Sequence, residues 1–365
     1  MAALPYTLLL QAESLRIPER GFPLSFFLFP LPQTMSVPFS QLIQEASSNP
    51  AHFTGSKTAT DKKWAKNFEV IIDLRVHTYS NVNEHGRITI ADWDTAMLPP
   101  FADDKLRMDA LGERPNRRLH RLYAEPDMAL WSHTEVSNVV LAAWNKYPAA
   151  LQTSEAKAGI DASAAETVDV TYRLPAGGRQ PLVIGEFKRN LIDPEEWMAG
   201  SLTSSKSLSK ELRGYAYKYK CPQIFCFDGE VLLLLQFRAG NVEEIKSKHC
   251  PVDCWVIPRQ SAPGSCTMRE GLHRLLVQGF RRVQSLAAVP NLLVNGHAPQ
   301  YREFYSGRPV FAHNGALSYE HPLDGNQGVF DREVDTNDGS VYWRLNKQPF
   351  LDQNNLLVRD TGAMW

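Results

Sequence analysis

The chain has 365 residues and a formal net charge of -1, with 43% hydrophobic and 22% charged residues. These proportions are typical of a globular protein with a sizeable core, and they exclude a wholly disordered chain. The neutral balance does not by itself indicate a nucleic-acid binder, although a local basic patch can bind nucleic acid within a neutral chain. No apolar run approaches the length of a membrane-spanning helix.

The N-terminal residues and the cysteines indicate the compartment. The apolar run at Leu8–Leu10 is too short for a signal sequence, and no Lys or Arg precedes it. The five cysteines are an odd number, which favours reduced thiols. We therefore expect an intracellular protein, in the cytoplasm or the nucleus, with no membrane partner. Cys250, Cys254 and His249 remain an alternative as part of a zinc site, but no second ligand pair follows at the usual spacing.

Composition divides the chain into four parts. In chain order we predict an extension outside the fold at 1–34, helical and strand elements packing on the core at 35–129, the main domain at 130–290, and a polar C-terminal extension at 291–365. Within the second part, Ser40–Ser47 is predicted as a short helix and Phe68–Val76 as a strand.

A polar and basic run occupies residues 101–125. Its basic side chains are Lys105, Arg107, Arg114, Arg117, Arg118, His120 and Arg121. We favour a solvated face for such a run. The alternative is a strip that contacts phosphates beside an active site.

Periodicity predicts the elements of the main domain. The predicted order is a helix at 132–144, a loop at 149–165, a strand hairpin at 168–174 and 181–188, a helix at 206–220, a hairpin at 223–227 and 231–237, a strand at 253–258, and a helix after a capping box at Thr267 and Glu270. This alternation predicts an α/β fold with a mixed central sheet flanked by helices.

The end of the second predicted strand carries the chemistry. Because side chains alternate along a strand, Glu186 and Lys188 project from the same face. The hairpin brings Asp169 beside Glu186. Two carboxylates on adjacent strands suit a hard divalent cation such as Mg²⁺ or Mn²⁺, and the lysine suits a negatively charged transition state.

Asp169 followed by Glu186-Phe187-Lys188 resembles the D…(D/E)-x-K signature of the PD-(D/E)xK nuclease superfamily, which includes restriction endonucleases and RecB-type nucleases. The resemblance covers residues 130–290. It implies a restriction-endonuclease-like core and a metal-dependent nuclease, with nucleic acid as its partner and DNA favoured. Asp169 and Glu186 are then the metal ligands and Lys188 the catalytic lysine.

The resemblance also implies roles for two helices. Glu135 matches an acidic residue that many members carry on the first helix, and Glu211 and Tyr215 match a Gln-x-x-x-Tyr motif on the second. Three basic residues of that second helix are further candidates for nucleic-acid contact, namely Lys210, Arg213 and Lys218.

The chain departs from the family pattern at three positions. Val168, rather than proline, precedes Asp169, Asp161 is an alternative for the aspartate, and Glu211 replaces the usual glutamine. The alternative function is a nuclease-fold module without catalysis that binds nucleic acid or protein.

Several candidates also have purely structural interpretations. Glu135 lies three residues after Ser132 and completes a possible capping box. The basic residues of the second helix form a possible solvated face. His313, His321 and Asp324 match metal ligands by residue type alone. The oligomeric state is left open.

Overall fold

The structure is a computed structural model that describes most of the chain. The described residues are 36–47, 49–53, 57–58, 62–78, 97, 102–145, 149–157, 166–175, 180–261, 265–286, 299–313, 315–319, 330–334, 341–351, 355 and 357. The predicted extension at 1–34 and Asp161, the alternative aspartate, lie outside them.

Strands outnumber helices in the described part of the chain. The strands are β1 (Val37–Pro38), β2 (Ala51–Phe53), β3 (Leu74–Val76), β4 (Leu111–Gly112), β5 (His120–Leu122), β6 (Leu151–Lys157), β7 (Thr167–Arg173), β8 (Pro181–Phe187), β9 (Gln223–Phe227), β10 (Val231–Phe237), β11 (Val252–Pro258), β12 (Tyr301–Arg302), β13 (Pro309–His313), β14 (Ala316–Ser318), β15 (Phe330–Val334), β16 (Val341–Leu345) and β17 (Gln348–Pro349). The α-helices are α1 (Phe39–Leu42), α2 (Ala102–Asp109), α3 (Glu125–Ser132), α4 (Asn138–Ala142), α5 (Pro194–Ala199), α6 (Lys206–Lys218) and α7 (Met268–Leu286).

A mixed sheet of seven strands is the centre of the fold, in the order β3-β11-β10-β9-β8-β7-β6. The pairs β8–β9 and β3–β11 are parallel, and the other pairs are antiparallel. Both predicted hairpins are confirmed. In the second hairpin Gly229 adopts a φ of 100°, which a residue without a side chain tolerates.

Helices flank this sheet on both faces, which confirms the predicted α/β class. Phe225 and Phe227 of β9 enter the core formed with α3, α4 and α7. Ile224 and Cys226 enter the core formed with α5 and α6. Because the central strands are buried on both faces, their sequences are nearly continuous apolar runs.

The prediction of a loop at 149–165 is wrong for its first part, because β6 lies there. Its side chains at Leu151–Ser154 are exposed or half-buried, and among the described strands it pairs with β7 alone. An edge strand of this kind needs no apolar face, so its polar sequence gave no alternating pattern. The predicted strand at Phe68–Val76 is likewise shortened to β3, and the helix predicted at Ser40–Ser47 is shortened to α1.

The helix predicted at 132–144 begins earlier and contains a π-helical turn. α3 starts at Glu125, and the π turn His133–Ser137 connects it to α4. Asp127 accepts hydrogen bonds from the backbone N–H groups of Tyr123 and Ala124 at 3.0 and 2.8 Å, which caps the start of the helix. The alternative interpretation of Ser132 and Glu135 as a capping box does not hold, because Ser132 lies inside the helix.

The C-terminal residues contain strands that the sequence did not predict. β12, β13 and β14 form one sheet, and β15, β16 and β17 form another. Val310, Phe311 and Trp343 are buried. The carbonyl of Tyr305 accepts a hydrogen bond from Gln223 Nε2 at 2.7 Å, which joins this segment to the central sheet. No helix in the described part of the chain is long and apolar enough to cross a membrane.

Candidate active site

A cluster of charged side chains and one tyrosine, most of them buried, lies where β7, β8 and α6 meet. Its members are Lys62, Asp169, Glu186, Lys188, Glu211 and Tyr215, and we call them the buried cluster. The sheet and the helix bring together residues that lie far apart in the chain.

Glu186 is the centre of the buried cluster and is 1% exposed. Its Oε1 accepts hydrogen bonds from Lys188 Nζ at 2.5 Å and from Lys62 Nζ at 2.9 Å. The hydroxyl of Tyr215 donates to the same oxygen at 3.4 Å. Glu186 Oε2 is buried and has no hydrogen-bond donor among the described residues. One oxygen of this carboxylate is therefore left for a further partner.

Glu211 provides a second carboxylate from α6. Its Oε1 lies 2.8 Å from Lys62 Nζ and 3.1 Å from Lys188 Nζ. Each of the two lysines therefore pairs with both Glu186 and Glu211. Tyr215 follows Glu211 by one helical turn, which brings both side chains to the same face of α6.

Asp169 provides the third carboxylate from β7. Its Oδ2 accepts a hydrogen bond from the backbone N–H of Phe187 at 2.6 Å. The backbone pairing of β7 with β8 ends at the pair Val170 and Gly185. Beyond this pair, the side chain of Asp169 takes the place of a backbone carbonyl as the acceptor for Phe187. The contact holds Asp169 beside the end of β8, as the hairpin predicted.

The pKa values of the buried cluster reflect burial and charge together. Burial raises the pKa of Glu186 to about 7, against the attraction of Lys188 and Lys62. Burial also raises the pKa of Asp169, despite its hydrogen bond from Phe187. For Glu211, burial is more than offset by the two lysines, and its pKa lies below its ordinary value.

The two ammonium groups respond in the opposite way. Burial opposes their charge, but Glu186 and Glu211 more than compensate and raise the pKa of both Lys62 and Lys188. Both lysines therefore stay protonated at neutral pH.

Lys62 is the member of the buried cluster that the sequence analysis missed. It precedes a 3₁₀ turn at Lys63–Asn67 and has no motif around it. The turn approaches α6 closely at Gly214, where an added Cβ would lie 2.4 Å from Trp64 Cζ3. Trp64 also packs edge-to-face on Tyr215, with 5.0 Å between ring centroids. A glycine inside a helix was the one available signal that another segment packs there.

Glu135, the predicted acidic residue of the first helix, lies outside the buried cluster. It is fully buried in the π turn and accepts a hydrogen bond from Asn49 Nδ2. Its Oε2 lies 3.8 Å from Arg269 Nη2, and its backbone carbonyl accepts from Arg269 Nε at 2.7 Å. These contacts join the first helix to α7, so Glu135 has a structural position here.

The basic residues of α6 differ in their surroundings. Arg213 is fully buried, burial lowers its pKa to about 10, and its Nη1 donates to the carbonyls of Ile245 and Ser247. Its prediction as a nucleic-acid contact is therefore a mistake, because no phosphate reaches it. Lys218 pairs with Glu166 at 2.5 Å. Lys210 is half-buried, and both lysines remain candidates from the sequence alone.

The residues weighed as alternative metal ligands form no group in the part of the chain that the structure describes. All five cysteines are free and buried, and Cys254 lies within β11. His321 and Asp324 lie outside the described residues, as does the side chain of His313. Nowhere in the described ranges do three or more His, Cys, Asp or Glu side chains converge as a metal site.

The buried cluster nevertheless fits a hard divalent cation with few protein ligands. Mg²⁺ commonly takes one or two carboxylates and completes its shell with water and phosphate oxygens. Asp169 and Glu186 lie on adjacent strands, and Glu186 Oε2 is buried without a donor. Two carboxylates with one unsatisfied oxygen therefore match this donor set.

Comparison with known proteins identifies no relative. No family model, no curated protein and no solved structure matches the chain. The interpretation of the buried cluster therefore depends on its own residues and geometry.

Proposed function

We propose that the chain is a divalent-metal-dependent nuclease with a restriction-endonuclease-like core, and that it hydrolyses phosphodiester bonds of nucleic acid, with DNA favoured. The observation that carries the proposal is the arrangement of Asp169 and Glu186 on adjacent strands, with Lys188 Nζ 2.5 Å from Glu186 Oε1. A carboxylate pair next to a buried ammonium is the donor set that this chemistry uses.

The order of elements around the buried cluster supports the proposal. A helix formed by α3 and α4 precedes the antiparallel strands β6, β7 and β8, and α6 then leads to β9, which is parallel to β8. Helix, three strands, helix and strand is the core order of the PD-(D/E)xK superfamily, which the sequence resembles. Asp169, Glu186 and Lys188 occupy its second and third strands and the residue just after.

The side chains of the buried cluster have distinct roles in this proposal. Mg²⁺ or Mn²⁺, held by Asp169 and Glu186, would polarise a phosphate oxygen and lower the pKa of a bound water. Lys188 supplies fixed positive charge where negative charge develops on the phosphate. Glu211, with Oε1 3.1 Å from Lys188 Nζ, orients this ammonium.

Cleavage of labelled single- and double-stranded DNA and RNA tests the proposal. We expect cleavage with Mg²⁺ or Mn²⁺ that EDTA and Lys188→Ala both abolish, because Lys188 stabilises the transition state. Lys206→Ala is the matched control, since Lys206 is exposed at the start of α6. Failure of the folded wild type to cut any of the substrates would refute the nuclease.

A catalytically inactive module that keeps this fold is the second candidate. Lys62 favours it, because its ammonium lies 2.9 Å from Glu186 and 2.8 Å from Glu211 and already neutralises carboxylates of the buried cluster. Calorimetry with Mg²⁺ distinguishes the two candidates. Binding by the wild type that Glu186→Gln removes supports the nuclease, whereas no binding by either protein supports the inactive module.

The free cysteines support an intracellular compartment for either candidate. All five cysteines are buried and free, namely Cys221, Cys226, Cys250, Cys254 and Cys266. Reduced thiols persist in the cytoplasm and the nucleus.

A further inference from the structure

The exposed segment at residues 114–123 differs in charge from the rest of this nearly neutral chain. Residues 114–121 contain four arginines and no acidic residue. Arg114, Arg117, Arg118 and Arg121 are all exposed, and we call residues 114–123 the arginine strip. The four guanidinium groups therefore make a local positive surface that the net charge of -1 conceals.

Two of these arginines are available for a ligand. Within the described part of the chain, Arg117 and Arg121 form no ion pair. Arg118 donates to the hydroxyl of Thr134 at 2.8 Å, which leaves its charge without a carboxylate. Arg114 is already paired with Glu45, at 2.6 Å from its Nη2 to Oε1. The unneutralised charge is therefore concentrated at 117–121.

The arginine strip borders a groove and exposes apolar side chains. The groove has a volume of about 660 Å³, and its polar lining side chains are two arginines and one acid with four neutral groups, namely Arg114, Arg118, Glu113, Asn116, Thr134, Asn138 and Asn145. Leu119 and Tyr123 are 64% and 58% exposed. Cationic groups beside an exposed aromatic ring suit a nucleic-acid strand, whose phosphates pair with arginine and whose bases stack on tyrosine.

The arginine strip ends beside the residue that follows Lys188 in the chain. Arg189 follows Lys188 directly, and its Nη1 donates to the carbonyl of Tyr123 at 2.5 Å. This contact brings the last residue of the arginine strip next to the chain segment that carries the catalytic lysine. A strand bound along the arginine strip would therefore pass close to the chain segment that carries Lys188.

We infer that the arginine strip binds the phosphodiester backbone of the nucleic-acid strand that is presented to Lys188. This inference rests on the proposed function for its direction toward the buried cluster, but binding itself does not require catalysis. The earlier preference for a solvated face at 101–125 is then replaced, for residues 114–123, by a surface with a ligand.

Fluorescence anisotropy with labelled oligonucleotides tests the inference. The probes are single-stranded DNA, duplex DNA and single-stranded RNA, with EDTA present so that no cleavage occurs. We expect Arg117→Glu/Arg121→Glu to weaken binding by about tenfold or more and to reduce the salt dependence of the binding constant by about two phosphate contacts. The arm that binds most tightly identifies the type of strand.

A matched control separates the arginine strip from general electrostatics. Lys248→Glu/Lys347→Glu makes the same change of charge at two exposed positions on other elements, and we expect it to retain binding. Equal loss in both double variants would contradict the inference, as would equal binding by Arg117→Glu/Arg121→Glu and the wild type. Thermal unfolding confirms that each variant is folded.

Hydrolysis of bis(p-nitrophenyl) phosphate distinguishes failure of this inference from failure of the nuclease. This small diester needs no extended surface, so its hydrolysis by the wild type tests the buried cluster separately from the arginine strip. Oligonucleotide binding without any hydrolysis would refute the nuclease and retain the arginine strip. Hydrolysis without oligonucleotide binding would refute the arginine strip alone.

Discussion

At the scale of single residues, Lys62 sets the charge balance of the buried cluster. Asp169, Glu186 and Glu211 are carboxylates, whereas Lys188 is the only other ammonium. Without Lys62, three buried acids would share one positive charge. Buried charges are costly unless they are paired, so the loss of one ammonium should act on the whole group.

We expect Lys62→Met to lower the free energy of unfolding at pH 8 by about 1–3 kcal/mol, less than for a fully buried pair because the Lys62 side chain is 36% exposed. The loss should be smaller at pH 6. Removal of Lys62 raises the pKa of Glu186 above about 7, and protonation at lower pH then relieves the repulsion. Urea unfolding at the two pH values measures both effects, with the exposed neighbour Lys63→Met as control.

The variant Lys62→Met also tests whether a divalent cation binds beside Glu186. If Mg²⁺ binds between Asp169 and Glu186, it compensates for the missing ammonium, and Mg²⁺ should raise the melting temperature of Lys62→Met more than that of the wild type. An equal shift in both proteins would count against a cation beside Glu186.

His273 gives the fold a defined acid sensitivity. It is 1% exposed, and burial lowers its pKa to about 3, with Arg107 and Arg274 acting in the same direction and Asp104 opposing them. The unfolded chain binds a proton below pH of about 6.5, whereas the folded chain does not until about pH 3. The stability of the fold therefore decreases as pH falls through this window.

We expect His273→Leu to remove this contribution, so that its stability relative to the wild type improves by about 1.4 kcal/mol per pH unit between pH 6 and 4. Urea unfolding across this range measures the slope. His249→Leu, a replacement of a histidine at an exposed position, is the matched control. Parallel slopes for His273→Leu and the wild type would show that His273 is not neutral in the fold.

At the scale of elements, the contact between α6 and the 3₁₀ turn places Lys62. Gly214 lets the two approach, since a Cβ there would lie 2.4 Å from Trp64 and 2.9 Å from Phe68. Alanine normally stabilises a helix relative to glycine by about 1 kcal/mol. The sign should be reversed at this position.

We expect Gly214→Ala to destabilise the protein by about 1–3 kcal/mol, because overpacking outweighs helix propensity. Trp64→Leu in the same chain should recover part of this loss, since it removes the clashing ring. A double-mutant cycle by urea unfolding measures the coupling between the two positions. Additive losses would mean that the ring and the glycine do not meet.

A comparison of the predicted and observed elements shows which of them the sequence could predict. Short apolar runs bounded by turn residues predicted β7 to β11 to within a residue or two, and a clear amphipathic face predicted α6 and α7. β6 was missed because an edge strand without an apolar face carries no period. The residues of the buried cluster differ in the same way, since local sequence patterns predicted some of them and missed another. Asp169, Glu186 and Lys188 were predicted from one hairpin, whereas Lys62 depends on a tertiary contact more than 100 residues away.

At the scale of the whole molecule, a row of polar side chains crosses the sheet and reaches into the C-terminal segment. Gln223 pairs with Gln236 across β9 and β10, and Gln236 donates to Asp253 of β11 at 3.1 Å. Arg282 of α7, fully buried, donates to Gln223 Oε1 at 2.7 Å. Together with the bond from Gln223 to Tyr305, this row connects the sheet, the last long helix and the C-terminal strands.

We expect Gln223→Leu to lower the free energy of unfolding by about 1–3 kcal/mol, because it leaves the buried Nε of Arg282 without its acceptor, while Nη2 keeps its hydrogen bond to the carbonyl of Pro181. It also frees the carbonyl of Tyr305, so limited proteolysis after residue 299 should become faster. Gln348→Leu, at an exposed position, should leave both measurements unchanged. If Gln223→Leu had the stability of the wild type, Arg282 Nε would have found another hydrogen-bond acceptor.

The parallel pairing of β3 with β11 has a consequence for synthesis on the ribosome. His77 and Asp253, which join these strands at 3.0 Å, lie 176 positions apart. During translation, β3 therefore stays unpaired until β11, the last strand of the central sheet in the sequence, has been synthesised. Parallel, distant pairings form late and expose unpaired edges meanwhile. The region that contains Lys62 is thus synthesised early, but it packs on the sheet only after β11 has formed. In the interval, we expect the nascent chain to depend on chaperones.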